Sequence, residues 1–175
     1  MTKWPRRFAA LALGAVLTVM VACSAADNSA GPTPPSELQV GSTLLSLRDL
    51  HLLTCSAQPY AVRTQTVGSA GGTIAIGTHH LVIPAGALAS PVQIKAEQMT
   101  GRVNSVRFSP EGLKFAKPAT LRLSYSNCSP LLLLKRVVYT NELLGILELL
   151  PSIDDLRTRT VSASIRHFSR YAVAW

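Results

Sequence analysis

The sequence lacks the motifs on which most enzyme sites depend. It contains no glycine-rich loop of the kind that cradles a phosphate and no serine elbow of the kind that presents a nucleophile. It has four histidines, and the pair His79-His80 has no third ligand at the spacing that metal sites use. Adjacent residues on a strand also point to opposite faces, which separates the two imidazoles. These absences disfavour a hydrolase and favour a protein without a metal or an organic cofactor.

The sequence also lacks a concentrated basic surface. Lys and Arg number 17 against nine Asp and Glu. Three of the basic residues, Lys3, Arg6 and Arg7, lie in the N-terminal segment, and without them 14 basic residues face nine acidic ones, a net charge of +5. Aromatic residues make up 6% of the chain and do not alternate with basic ones, so nucleic-acid binding is disfavoured. A solvated basic surface is expected, and weak attraction to anionic envelope polymers or lipids stays open.

Residues 1–22 have the features of an export signal. Basic residues open the chain, Phe8 to Val21 is uncharged and apolar, and the small Ala22 precedes a cysteine. The apolar run is shorter than the about 20 residues that a membrane-spanning helix needs. The segment therefore predicts a signal peptide and not a permanent span.

The residues Met20-Val21-Ala22-Cys23 resemble the bacterial lipobox, in which the cysteine is acylated, for example with palmitate, and becomes the first mature residue. Met20 stands where that motif usually has leucine. The alternative is a plain secretory signal that is cut nearby, with Cys23 incidental. Asp27 comes too late to act as the inner-membrane retention signal of lipoproteins, so the resemblance implies a lipid anchor in the cell envelope, at the outer membrane or the surface.

The rest of the chain divides into three predicted regions. Residues 23–37 are the acylated cysteine and a tether, since Asp27 to Glu37 is polar and rich in Pro, Gly and Ser and cannot bury enough apolar surface to order itself. Residues 38–63 are a lead-in segment, either a short amphipathic helix or an irregular strand. Residues 64–175 are predicted to form the folded domain.

The folded domain shows the two-residue period of β-strands. Ile74 and Ile76 share one face, Leu81 and Ile83 share another, and the residues from Gly77 to His80 between them predict a hairpin connection. Similar alternation recurs to the end of the chain, and Lys117-Pro118 is expected to break one run. About eight or more short strands with frequent turns predict an all-β antiparallel sandwich.

The leucine-rich stretch before Pro151 is open to two interpretations. Its Leu and Glu residues favour a helix. Gly145 in its middle and Pro151 after it favour two short strands with a turn.

Two cysteines remain once Cys23 is assigned to the lipobox. Export places Cys55 and Cys128 in an oxidising compartment, where disulfides persist. Cys55 is expected before the first strand, and Cys128 after the strand Ala119 to Tyr125. A bond between them would close a loop of roughly 70 residues and stabilise the fold by ~4 kcal/mol. The alternative is two free buried thiols.

Three stretches together resemble the ZU-five domain. They are GGTIAIGTHHLVIPAGAL from Gly71, FSPEGLKFAKPATLRLSY from Phe108 and HFSRYAVAW from His167. That domain occurs in tight-junction scaffolds, netrin receptors, ankyrins, death-domain adaptors and bacterial envelope proteins, and the similarity here covers residues 66–175. The compact form with two cysteines is similar to short bacterial lipoproteins. The resemblance implies a β-sandwich used for contacts, here as a monomer with an unknown protein or envelope polymer as partner.

The resemblance also implies one piece of chemistry. In several ZU-five relatives with a companion domain, an His-Phe-Ser motif cuts its own backbone between Phe and Ser; the matching residues are His167, Phe168 and Ser169. Ser169 Oγ would attack the Phe168 carbonyl while His167 moves the proton. Phe168 is out of phase with the apolar positions on both sides, so its burial requires a bend in the strand. In the alternative interpretation Phe168 fills the core, and His167 and Ser169 satisfy nearby backbone groups.

We therefore expect a lipid-anchored binding or structural module of the cell envelope that is not an enzyme. The alternative is a self-processing domain that is cut between Phe168 and Ser169.

Overall fold

The computed structural model of the chain describes residues 49–129 and 132–175, and it confirms the all-β prediction. The described residues form strands and turns and no helix. The predicted signal peptide, the lipobox with Cys23 and the tether lie outside the described residues.

Thirteen strands follow one another along the described chain. They are β1 Thr54–Gln58, β2 Ala61–Val67, β3 Gly72–Ile76, β4 His79–Ile83, β5 Val92–Gln98, β6 Gly101–Val103, β7 Ser105–Ser109, β8 Lys114–Ser124, β9 Arg136–Thr140, β10 Ile146–Leu149, β11 Ser152–Asp155, β12 Thr160–His167 and β13 Arg170–Ala174.

The strands form two large antiparallel sheets and one small one. The six-stranded sheet has the order β10-β9-β13-β7-β5-β2, the five-stranded sheet has the order β11-β12-β8-β4-β3, and β1 pairs with β6. One core joins the large sheets: Leu81 and Leu121 of the five-stranded sheet and Ile94 and Phe108 of the six-stranded sheet are fully buried in the same cluster. Each such side chain contributes about 2 kcal/mol from the burial of apolar surface.

The hairpin of β3 and β4 confirms the predicted alternation, because Ile74, Ile76, Leu81 and Ile83 are all buried. Its connection is shorter than expected. Only the two residues 77 and 78 form the turn, and His79 already belongs to β4 and is buried.

The glycine before β3 has a steric reason. Gly71 adopts φ +74°, and a Cβ atom at this position would lie 2.3 Å from the carbonyl oxygen of Ile83. Any side chain here would therefore collide with the backbone of the paired strand. Glycine avoids the collision because it has no Cβ, and it adopts positive φ without penalty.

The folded domain begins earlier than the predicted boundary at Thr64. The strand β1 and the first residues of β2 lie in the segment that was expected to be a lead-in, and Cys55 lies within β1 instead of preceding the first strand. The boundary prediction is wrong because β1 is held by distant partners. It pairs with β6, and the Sγ atoms of Cys55 and Cys128 are bonded across a separation of 73 residues. The disulfide prediction is confirmed.

Pro118 does not break a strand, contrary to the prediction. Strand β8 continues through it, and the register between β8 and β12 shifts at this place. Ala119 pairs with Ile165, whereas the next pair joins Lys114 to His167. Pro118 falls in the irregular stretch between these pairs, where its missing N–H removes no ladder hydrogen bond.

The leucine-rich stretch before Pro151 forms a turn and a short strand and not a helix. Residues 141–145 connect β9 to β10, and the side-chain oxygen of Asn141 accepts hydrogen bonds from the backbone N–H groups of Leu143 and Gly145 at 3.0 and 2.8 Å. Leu143 is 91% exposed at the tip of this turn.

A second apolar cluster lies on the outer face of the six-stranded sheet. Val138, Ala172 and Ala174 are fully buried there, with Leu50 and Leu52 packed against them. Leu52 and Ala174 also form an isolated antiparallel bridge. The residues just before β1 therefore cover this face of the sheet and reach the end of β13.

Candidate functional site

The His-Phe-Ser segment is the place where the chain passes from one sheet to the other. His167 ends β12 in the five-stranded sheet, and Arg170 begins β13 in the six-stranded sheet. Only Phe168 and Ser169 make the connection. The bend expected from the phase of Phe168 is present, and it coincides with the register shift between Ile165 and His167.

Phe168 fills the core at this crossing. Its side chain is fully buried. Its ring stacks on Phe108 with centroids 5.2 Å apart and meets Phe115 edge-on at 5.0 Å. Offset-stacked and edge-on pairs are the favourable aromatic geometries. The geometry of Phe168 therefore fits the interpretation in which this residue is a core anchor.

Backbone hydrogen bonds tie the crossing to the turn between β7 and β8. Phe168 N–H donates to the Leu113 carbonyl at 2.8 Å, and Gly112 N–H donates to the Phe168 carbonyl at 3.0 Å. Phe108 N–H donates to the Ser169 carbonyl at 3.1 Å. The Phe168 carbonyl, which Ser169 would attack in a self-cleavage reaction, is thus already polarised by one backbone N–H. An oxyanion site with two donors would need one more.

His167 lies beside the Phe168 carbonyl and not beside the serine hydroxyl. Its Nδ1 is 3.5 Å from the Phe168 oxygen, and its ring meets Tyr139 edge-on at 5.2 Å. Within residues 49–129 and 132–175 no hydrogen bond joins the His167 ring to the buried Ser169. A general base needs contact of about 2.6–3.2 Å with the proton donor, so the observed arrangement places His167 outside that range.

The φ angles of the segment give no sign of stored strain. Among the described non-glycine residues, φ is positive at Leu144 and Arg159, and both lie in turns away from the crossing. Strained dihedrals are one of the features that prepare a backbone for reaction.

A cavity of about 410 Å³ opens next to the crossing. Its lining comes from β10, β12, β13 and the β10–β11 connection, namely Glu148, Leu150, Pro151, Ser164, Ile165, Arg166, His167 and Tyr171. Burial raises the pKa of the Tyr171 hydroxyl above its ordinary value, and the nearby Glu148 and Tyr139 raise it further. The hydroxyl therefore stays protonated and donates to the His167 carbonyl at 2.7 Å.

A charged network lies on the six-stranded sheet around the buried Glu97. Its carboxylate accepts a hydrogen bond from Tyr60 at 2.5 Å and forms ion pairs with Lys95 at 2.9 Å and Arg107 at 3.1 Å. Burial alone would raise the pKa of Glu97, but these donors and charges lower it below the ordinary value. Every oxygen of this carboxylate has a partner, so the network is best explained as a structural clamp between β5 and β7.

His79 is held in a buried polar network. Its Nδ1 accepts the Ser124 N–H at 3.0 Å, which leaves the proton on Nε2, 3.3 Å from Gln58 Oε1. Burial lowers the pKa of His79 to about 4, with a smaller contribution from His80. His79 is therefore neutral at pH 7. In the part of the chain that the structure describes, no group of three His, Cys, Asp or Glu side chains could hold a metal ion.

The sequence predicts the bend at His167, Phe168 and Ser169, but it predicts neither the change of sheet there nor the cavity and the two polar networks. The cavity is assembled by segments that meet only in the fold. Glu97 has its partners just before β2, on β5 and on β7, and His79 has its partners 21 and 45 positions away. The one sign of the Glu97 network in the sequence is Lys95, which lies two residues before Glu97 and therefore on the same face of the strand.

The chain matches no protein-family model, and it matches no curated protein. The resemblance to the ZU-five domain stays a prediction. Among the described residues there is no helix that is long and apolar enough to cross a membrane.

Proposed function

We propose that this chain is an exported, lipid-anchored module of the cell envelope that works by surface contact. The export pattern and the lipobox-like Cys23 support the address. The sandwich offers a surface for contact at the edges of its sheets, where backbone groups are open to a new strand.

The open edge of β2 is the observation that carries this proposal. All seven residues of β2 pair with β5 on one side, and β2 is the last strand of its sheet on the other. The edge strands β3, β10 and β11 have five, four and four residues. Val62, Arg63 and Thr64 are exposed along β2. An extended partner segment would continue the ladder there through backbone hydrogen bonds, and the exposed side chains would select its sequence.

Photo-cross-linking in cells tests this edge. A photoreactive residue at Thr64 is expected to give a discrete cross-linked product with an envelope component. The matched control is Val82, which is also exposed but lies on β4, between two paired neighbours. Products of equal yield at both positions, or none at Thr64, would rule out the β2 edge as the contact.

The anchor has a separate test. The mature protein should begin at Cys23 and carry the added mass of acyl chains, and Cys23→Ser should release the protein from the membrane fraction. An unmodified Cys23 in the intact mass would reject the anchor without affecting the β2 edge.

The second candidate function is self-processing at the crossing, and the hydrogen bond from Gly112 to the Phe168 carbonyl favours it. Ser169 Oγ would attack the Phe168 carbonyl carbon, and the bond to the Ser169 nitrogen would break as that nitrogen takes the hydroxyl proton through His167. Water would then hydrolyse the resulting ester. The observed position of His167 requires its ring to move before it can reach the hydroxyl.

Intact mass after denaturation tests the cut. Cleavage would yield a free piece that begins at Ser169 and contains β13. This piece would stay bound in the native protein, because β13 lies between β7 and β9. Ser169→Ala should then give only the uncut chain. An uncut native protein with the same mass pattern as Ser169→Ala would exclude self-processing.

A further inference from the structure

One end of the sandwich exposes leucine side chains that the fold does not use. Leu132 is 95% exposed, Leu133 and Leu134 follow it with about half of their surface in water, and Leu156 is 51% exposed. We call these four residues the leucine end. Exposed apolar side chains grouped in this way are typical of a surface that meets a partner or a membrane.

Hydrogen bonds bring the two leucine segments together. The Asp154 carboxylate accepts the Tyr125 hydroxyl at 2.6 Å and the Lys135 N–H at 2.8 Å. Tyr125 N–H in turn donates to the Arg159 carbonyl at 2.8 Å. The Asp154 carboxylate and Tyr125 therefore connect the segment before β9 to the turn after β11. The leucine side chains take no part in these bonds.

A disulfide lies close to this end. Cys128, three residues after Tyr125, is bonded to Cys55 of β1, and its carbonyl accepts a hydrogen bond from the Arg159 guanidinium. The neighbours of the leucines, Tyr125, Cys128 and Asp154, are thus held by covalent and hydrogen bonds.

The N-terminal part of the chain joins the domain at the same end. Leu52 bridges to Ala174, and Ala174 pairs with Arg136, which lies two residues after Leu134. The His-Phe-Ser crossing lies at the opposite end of β13. Cys23 and Asp49 are 26 positions apart, and an unstructured chain of about that length has an r.m.s. length of about 30 Å. An anchor at Cys23 would therefore hold the leucine end close to the bilayer.

The charges around the leucines are mixed, with a small excess of positive charge that favours an anionic surface. Arg157 and Arg159 lie after Leu156, and Lys135 and Arg136 follow Leu134. Asp154 and Asp155 keep their negative charge at this end; Asp154 is bonded as described above, and Asp155 accepts the N–H groups of residues 157 and 158 at 3.0 and 3.1 Å. Asp49 adds one carboxylate near the chain entry. Leucines flanked by arginines are the composition that interfacial membrane-binding segments use.

We propose that the leucine end inserts into the interfacial layer of an anionic lipid bilayer and orients the domain with the His-Phe-Ser crossing away from the membrane. This orientation rests on the proposed function in one respect, because the anchor supplies the high local concentration that makes a small apolar insertion effective. The contact itself is made by Leu132, Leu133, Leu134 and Leu156.

Tryptophan reporters in the full chain test the proposal. Leu132→Trp and Leu143→Trp place the same fluorophore at two exposed leucine positions at opposite ends of β9. The chains are reconstituted with vesicles of equal parts phosphatidylcholine and phosphatidylglycerol, with bromine atoms on the acyl chains, and the signal of the unsubstituted chain is subtracted. The Leu132→Trp reporter should be quenched several-fold more than the Leu143→Trp reporter. Equal quenching, or none at either position, overturns the proposal.

Two further variants separate lipid insertion from other causes. Adding Leu133→Asp to the Leu132→Trp chain should abolish the extra quenching, whereas adding Leu143→Asp should leave it unchanged, with the melting temperature unaltered in both. Vesicles of phosphatidylcholine alone should reduce the extra quenching of the Leu132→Trp reporter several-fold, because they contain no anionic headgroups for the arginines to bind. A blue shift of the Leu132→Trp reporter that needs no vesicles and grows with protein concentration would overturn the proposal in favour of a second copy of the chain.

The reporters also separate this proposal from the anchor. Both reporter chains share the same N-terminal segment, so the ratio of their quenching depends on the orientation of the domain. The acyl mass at Cys23 depends on the anchor alone. If Cys23 is acylated and both reporters are quenched equally, the anchor stands and the insertion of the leucine end is rejected. If Cys23 is not acylated and the Leu132→Trp reporter is quenched selectively, the insertion stands and the anchor is rejected.

Discussion

His79 is buried with both ring nitrogens engaged, and its neighbour His80 is exposed. The strand period predicts this division, because adjacent residues point to opposite faces. It does not predict the partners Gln58 and Ser124, which arrive from other strands. The Ser124 N–H can be accepted only by an unprotonated Nδ1, so the network stabilises the neutral ring.

The neutral His79 predicts a loss of stability in mild acid. Its pKa is about 4 in the folded protein and about 6.5 in the unfolded chain, so the unfolded chain binds more protons between these values. The contribution of neutral His79 to the free energy of unfolding is complete above pH 6.5. It falls by about 3 kcal/mol as the pH approaches 4. Urea unfolding across this range should show the loss in the native protein.

Variants at the histidine pair isolate this effect. His79→Gln should remove most of the pH dependence between 6.5 and 4, whereas His80→Gln should keep most of it. A His79→Gln protein with the native pH dependence would show that other groups cause it.

At the scale of elements, the crossing from β12 to β13 combines a bend, a buried ring and backbone hydrogen bonds on both sides of the Phe168 peptide unit. The phase of the apolar residues predicts the bend, since Phe168 can reach the core only if the strand changes direction. The phase does not predict that the chain changes sheets, because that depends on which strands pair with β12 and β13. The same limit explains the wrong prediction that Pro118 ends a strand, because the irregular pairing opposite the bend, which accommodates Pro118, depends on the partner strand.

Phe168→Ala should destabilise the protein by about 4 kcal/mol, because it leaves a ring-sized cavity between Phe108 and Phe115. Leu147→Ala, on the exposed side of β10, should change the free energy of unfolding by less than about 1 kcal/mol. Denaturant titration of both variants measures the difference. Comparable losses for the two would mean that the crossing is not a core element.

At the scale of the whole molecule, the disulfide joins the start of the sandwich to the loop that follows its longest strand. The sequence predicts the pair, because Cys55 and Cys128 are the cysteines left after the lipobox. It does not predict that Cys55 lies in a strand. Strand β1 is short and irregular in pattern, and it is defined by its pairing with β6, the covalent bond to Cys128 and the hydrogen bonds between Ser56 and Asn127.

Loss of this bond should cost about 4 kcal/mol, since the unfolded chain gains the freedom of a loop closed over 73 residues. The double variant Cys55→Ala, Cys128→Ala should therefore unfold at a clearly lower denaturant concentration. Reduction of the native protein should give the same shift. An unchanged midpoint in both would show that β1 and the Tyr125 loop hold together without the bond.

The order of the six-stranded sheet has a kinetic consequence. Among the described strands, β2, β5 and β7 form one group of neighbours, β9 and β10 form another, and β13 lies between the two groups. Until β13 inserts, each group carries a free edge that can recruit strands from other molecules. Assembly then waits for a contact between segments far apart in the chain, which is the slow step of β-rich proteins. Aggregation during refolding should therefore compete with this insertion, and dilution should favour the native fold.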